Sequence, residues 1–147
     1  MATAYLTAEE FKLRSVMPPE EVDLLEQSYP GFLRARLAEV SGRIDARLSK
    51  RYLVPFASPP AEIVCAWVER LVTRDLYLRR GFTPGSKQDD EILLRAVAAE
   101  TEIREAADAR EGLFDLPVRD SEKKGEFWGY SEDNPYAWTD RGGRRNG

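Results

Sequence analysis

The stretch Gly31-Phe32-Leu33-Arg34-Ala35-Arg36-Leu37-Ala38-Glu39-Val40-Ser41-Gly42-Arg43-Ile44-Asp45-Ala46-Arg47-Leu48-Ser49-Lys50 decides the fold class. Leu33, Leu37, Val40, Ile44 and Leu48 recur at intervals of three and four residues, the step that aligns side chains along one side of an α-helix. Arg34, Arg36, Glu39, Arg43, Asp45 and Arg47 occupy the remaining directions. Gly42 lies inside this run at a cost of about 1 kcal/mol relative to alanine, and its missing side chain leaves room for another helix to approach.

Outward from this helix the same period returns. Thr7-Ala8-Glu9-Glu10 has the form of a capping box, a hydroxyl at the N-cap with a carboxylate three residues on, and opens a short helix to about Val16 that buries Phe11. Met17-Pro18-Pro19-Glu20-Glu21 breaks it and starts a second, since proline fits a first turn and acids suit the positive helix end. This helix carries Val22, Leu24 and Leu25 and ends near Ser28-Tyr29-Pro30-Gly31. After Lys50, Arg51 to Pro60 holds three prolines and reads as extended and stiff. Ser58 is expected to cap a helix from Pro59 to Arg80, with Val64, Trp67, Val68, Leu71 and Leu78 facing inward. Gly81-Phe82-Thr83-Pro84-Gly85 is a turn. Ser86-Lys87-Gln88-Asp89 opens a last helix to about Arg110, with Ile92, Ala96, Ala99, Ile103 and Ala106 inward and an alanine-rich face that also holds Ala98, Ala107 and Ala109. Strand signals are confined to Tyr52-Leu53-Val54 and Leu113-Phe114. The expected architecture is all-α: a small bundle of four to five helices over residues 1–117, followed by an extended arm, 118–147.

Composition removes most chemistry. The 147 residues include no histidine and one cysteine, so Ser-His and Cys-His catalysis and the common zinc sites are excluded. Cys65 lies in the apolar run Ile63-Val64-Cys65-Ala66-Trp67-Val68 and reads as a buried thiol. The acidic groups Glu9-Glu10, Glu20-Glu21 and Asp89-Asp90-Glu91 all fall at expected helix starts, where carboxylates offset the helix dipole; they read as caps. Gly142-Gly143 is not followed by a helix and forms no phosphate cradle. A net charge of −4 argues against a general nucleic-acid binder. No apolar run approaches the roughly 20 residues of a membrane span, and the N-terminus lacks a secretory signal. The expectation is a cytoplasmically made protein that is not an enzyme and uses no cofactor or metal.

The last segment differs from the rest. From Arg119 to Gly147 there is no Leu, Ile, Val or Met, yet five of the fifteen aromatics fall there: Phe127, Trp128, Tyr130, Tyr136 and Trp138. Arg119 to Asp140 carries six acids against three bases, and Arg141, Arg144 and Arg145 close the chain. Aromatics and arginine are the residues from which interface hot spots are built. These eight residues are therefore read as partner-binding, on a strap that docks another protein.

The central stretch carries a resemblance. Ile44-Asp45-Ala46-Arg47-Leu48-Ser49-Lys50-Arg51-Tyr52-Leu53-Val54-Pro55-Phe56, then Pro59-Pro60 and a helix ending Asp75-Leu76-Tyr77-Leu78-Arg79-Arg80, resembles the small head-tail connector (adaptor) proteins of tailed bacteriophages. In that family a helix closes on an Ile-Asp-x-x-Leu-x-x-Arg-Tyr pattern and a proline loop follows. Tyr5-Leu6-Thr7-x-x-Glu10-Phe11 is similar to the family's first helix, and the likeness spans about residues 4 to 113. By residue chemistry, Arg51 and Tyr52 are expected to end their own helix, where a cation suits the negative terminus. The resemblance implies a virion protein assembled in the host cytoplasm into a dodecameric homo-oligomeric ring beneath the portal protein. It also implies a tail-side neighbour (a further connector or the tail terminator) and a channel through which genomic DNA passes without sequence-specific binding. A second expectation, from another class, is a helical nucleic-acid-binding regulator whose Arg144-Arg145 end touches phosphates. A carboxylate-based hydrolase would need two acids of separated pKa in a cleft, and no spacing points to one.

Overall fold

A computed structural model describes residues 4–81, 83, 85–108 and 116–118. Among them the fold is all-α, with five helices: α1 (Ala8–Arg14), α2 (Pro19–Ser28), α3 (Phe32–Leu48), α4 (Glu62–Arg80) and α5 (Lys87–Asp108). The second strand candidate, Leu113-Phe114, and the whole arm from Arg119 onward lie outside the described residues. Val118, assigned above to the arm, is described and pairs with the bundle through an isolated antiparallel bridge to Tyr52.

Helix α4 is the centre. It packs against α3 on one side and α5 on the other, α3 also meets α5, and α1 and α2 lie across α3 and α4. The central position explains its composition: Val64, Cys65, Trp67, Val68, Leu71, Val72, Leu76 and Tyr77 are all buried. A side chain of this size contributes roughly 1.5–3 kcal/mol when taken out of water. The inward positions read for α3 (Leu33, Leu37, Val40, Ile44, Leu48) are all buried, as are Ile92, Ala96, Ala99, Ile103 and Ala106 of α5. Small alanines let α5 approach α4 closely. Ala98, counted with that face from sequence, is exposed instead.

The helix ends follow local chemistry. Thr7 Oγ1 accepts from the Glu10 N–H at 3.1 Å while the Glu10 carboxylate accepts from the Thr7 N–H at 2.9 Å, the reciprocal capping box. Gly31 takes a left-handed φ of +82° at the α2–α3 turn, a conformation strained for any residue with a Cβ. Helix α3 has no cap of its own. Glu26 of α2 supplies one, accepting from the N–H groups of Gly31 (2.7 Å) and Leu33 (3.4 Å).

Several sequence expectations are corrected. Helix α4 starts at Glu62 with Ala61 as N-cap, so Ser58 caps nothing there; the Ser58–Pro59 and Val54–Pro55 bonds are cis. Leu78, expected inward, is 53% exposed, because the helical period turns Leu76 and Tyr77 to the core instead. At the start of α5, Ser86 Oγ accepts from the Asp89 N–H at 3.4 Å. The Asp89 carboxylate does not return the bond; it accepts from Thr83 N–H at 2.9 Å and meets Arg80 at 3.3 Å.

Candidate docking surface and arm-anchoring site

The residues of the Ile-Asp-x-x-Leu-x-x-Arg-Tyr pattern converge at one end of the bundle. Ile44 and Leu48 face the core, which leaves Asp45 on the flank of α3 turned toward the N-terminal segment. There its carboxylate accepts from the Tyr5 hydroxyl. The same hydroxyl oxygen accepts from the Phe56 N–H at 2.9 Å, and the Tyr5 N–H donates to Ser41 Oγ at 3.0 Å. Burial, reinforced by Asp45, pushes the Tyr5 hydroxyl well above the ordinary tyrosine range. Burial also raises the Asp45 carboxyl, against the opposing pull of the Tyr5 hydrogen bond. One tyrosine thus joins the first residues of the chain, α3 and the proline loop.

Arg51 and Tyr52 end their own helix, as expected, their backbone N–H groups donating to the Leu48 carbonyl at 3.1 and 2.9 Å, and they do more. Tyr52 is fully buried, and its hydroxyl donates to the Ala106 carbonyl at 2.9 Å. Arg51 Nε donates to the Ala107 carbonyl at 3.2 Å. Both carbonyls belong to the last described turn of α5. The pair therefore ends α3 through its backbone and holds α5 through its side chains. The Leu53 N–H donates to the Pro117 carbonyl at 2.9 Å, beside the Tyr52–Val118 bridge. The pattern is a clamp holding the N-terminal segment, the proline loop, the described end of α5 and residues 117–118.

The arginines are mostly engaged within the subunit. Arg36 meets Asp75 at 2.9 Å and Glu39 at 2.6 Å. Arg74 lies 3.4 Å from both Asp75 and Glu100, and Arg43 is 3.5 Å from Glu100. Arg79 stacks over the rings of Tyr29 and Phe32 at 4.4 and 4.9 Å, and Arg80 over Tyr77 at 4.4 Å. Among the described residues Arg34, Arg47 and Arg104 have no ion-pair partner. Exposed aliphatics sit on separate elements: Leu13 on α1 and Leu24 on α2, and Leu94 and Val97 on α5. With Ala98 and Thr101, the α5 pair forms a solvent-facing stripe at helical spacing, which sequence reading passed over because the inward alanines dominate that helix.

The buried polar groups are structural. Glu69 accepts from Thr73 Oγ1 at 2.9 Å and from Arg95 at 3.1 Å. Ser15 Oγ lies 2.8 Å from Thr73 Oγ1 and accepts from the Met17 N–H. This chain of donors ties the end of α1 to α4 and α5. The acidic pairs occupy the first turns of α1, α2 and α5. Cys65 is buried, and burial pushes its thiol up. Among the described residues no group of His, Cys, Asp and Glu stands ready to hold a metal ion, and no helix is long and apolar enough to cross a membrane. The eight residues read as partner-binding (Phe127, Trp128, Tyr130, Tyr136, Trp138, Arg141, Arg144 and Arg145) all lie outside the described residues. No protein-family model matches the chain, and no curated protein or solved structure matches it.

Proposed function

We propose that this chain is a head-tail connector subunit of a tailed phage or related particle, which joins the portal protein to the tail and continues the DNA channel as a homo-oligomeric ring. The observation that carries the reading is the clamp. Within the stretch that resembles phage connectors, Tyr52 and Leu53 hold Val118 and Pro117 against the bundle, Arg51 and Tyr52 hold the described end of α5, and Asp45 and Phe56 hold Tyr5. A strap that transmits load to a partner needs a root of that kind. The aromatics and arginines of 127–145 are the anchors that meet the portal.

A ring also needs two different patches on each subunit, because a head-to-tail contact joins unlike surfaces. The separate exposed aliphatics of α1–α2 and of α5 supply such a pair. The net charge of −4 suits a channel wall that DNA passes without adhering. The test is co-assembly of the full chain with the portal of the same gene neighbourhood, viewed by electron microscopy. Wild type is expected to form ring complexes, and Trp128→Ala with Trp138→Ala to lose them. If the wild-type chain associates with no portal, the connector reading fails.

A further inference from the structure

We propose that, in the free subunit, the groove between α3 and α5 is the docking place, in the same copy, of this chain's own acidic-aromatic segment 126–140, which a partner has to displace before it can take the aromatics. This inference stands on the chain's own residues and does not rest on the connector reading. Two rows of charge line the groove. Arg43, Arg47 and Lys50 follow one another along α3; Glu100, Arg104 and Asp108 follow one another along α5. The outer rungs are complementary: Arg43 is 3.5 Å from Glu100, and Lys50 is 3.4 Å from Asp108. That register sets Arg47 level with Arg104. Both are exposed, and neither has an ion-pair partner among the described residues. The middle rung is thus cation facing cation, an arrangement that an arriving carboxylate completes.

Beneath Arg43 and Arg47 the groove is a cleft of about 280 Å³ whose floor is Ile44, Leu71 and Ile103. An apolar floor under a basic rim fits an aromatic side chain flanked by acids better than it fits a phosphodiester. Residues 126–140 have that chemistry: Phe127, Trp128, Tyr130, Tyr136 and Trp138 interleaved with Glu126, Glu132, Asp133 and Asp140, and no base. The segment also starts in the right place. The chain is pinned at Val118 against Tyr52, just past the end of α3 whose last turns carry Arg47. The eight steps from Val118 to Glu126 span up to about 26 Å when extended. That is ample for a groove that begins a turn or two away.

The test is acrylamide quenching of tryptophan fluorescence in the full chain. Trp67 is fully buried in the core and contributes the same background throughout, so changes report Trp128 and Trp138. The double variant Arg47→Glu, Arg104→Glu alters two exposed side chains and is checked for fold by far-ultraviolet circular dichroism. Its quenching constant is expected to rise about twofold, since two of the three tryptophans become accessible together. Molar salt is expected to produce the same rise in wild type by screening, and adding Glu132→Lys with Asp133→Lys to the double variant to restore protection. Equal quenching in wild type and double variant, at unchanged circular dichroism, overturns the proposal. Protection that depends on protein concentration also overturns it, placing the segment on a second copy. So does duplex DNA binding that the double variant loses while quenching stays constant, which gives the groove to a phosphate backbone.

Discussion

Substituting Tyr52 by phenylalanine removes one oxygen from a fully buried site and tests its hold on α5 directly. The hydroxyl donates at 2.9 Å to the Ala106 carbonyl in the last described turn of α5. The loss has two parts. A net hydrogen bond is worth about 0.5–1.5 kcal/mol, and a carbonyl left buried without a donor costs about 1–3 kcal/mol where water cannot reach it. Because Arg51 remains on the adjacent Ala107 carbonyl and holds the turn in place, the expected destabilisation lies near the middle, about 2 kcal/mol. In thermal unfolding followed by circular dichroism, that corresponds to a Tm lower by about 4–8 °C for a chain of this size. Tyr77→Phe is the matched control. Tyr77 is also buried, but its hydroxyl meets the Gln88 side chain at 3.3 Å, and Gln88 is exposed and turns to water instead. Its loss is expected to stay within about 0.5 kcal/mol. Equal effects for the two tyrosines, or a Tyr52→Phe chain as stable as wild type, would refute the argument that this residue holds α5.

Burial raises the hydroxyls of both Tyr5 and Tyr77 above the ordinary value of about 10. Below that pH both states hold the proton. Above it the unfolded chain ionises first, so stability falls as pH climbs from about 10 toward the raised folded-state values; denaturant midpoints against pH are expected to show a shallower alkaline decline in Tyr5→Phe. Ala99 is fully buried on α5 while Ala98 is exposed. Ala99→Leu is therefore expected to cost about 1–3 kcal/mol by overpacking, whereas Ala98→Leu stays within about 0.5 kcal/mol, both read from urea midpoints.

What the sequence made legible was whatever depends on local period and local chemistry. The α3 stripe and the Thr7–Glu10 box can be read from a few neighbouring residues, and both stand in the structure. Leu78 departs from expectation because an apolar side chain beside the stripe looks like part of it until the helix's rotation is fixed by its neighbours. Ser58 looked like a cap because a hydroxyl before two prolines is a common helix opening; the prolines themselves carry the chain three residues further before α4 begins. Glu69 and Asp89 left no trace in the apolar pattern, since a buried acid is recognisable only by the donors that surround it, and Arg95, Thr83 and Arg80 are distant or unremarkable in sequence. The role of Arg51 and Tyr52 was hidden for the same reason. The pair was visible as a motif, but the carbonyls its side chains hold lie more than fifty residues away, on a helix that only the fold brings near. The middle rung of the α3–α5 groove is likewise a property of register, which no single helix contains.

The central place of α4 has a consequence for how the chain is made. Its wide apolar surface, with Trp67, Val68, Leu71, Val72 and Leu76, leaves the ribosome before the helix that covers one whole side of it. The 22 residues of α5 take about one to four seconds to synthesise at 5–20 residues per second. For that interval the nascent chain presents a half-built core to water, and the side chains of Arg51 and Tyr52 have no α5 carbonyl to bond. A holding chaperone that recognises exposed aliphatic and aromatic side chains has its window there, and translation speed over Lys87–Asp108 sets how long the window stays open.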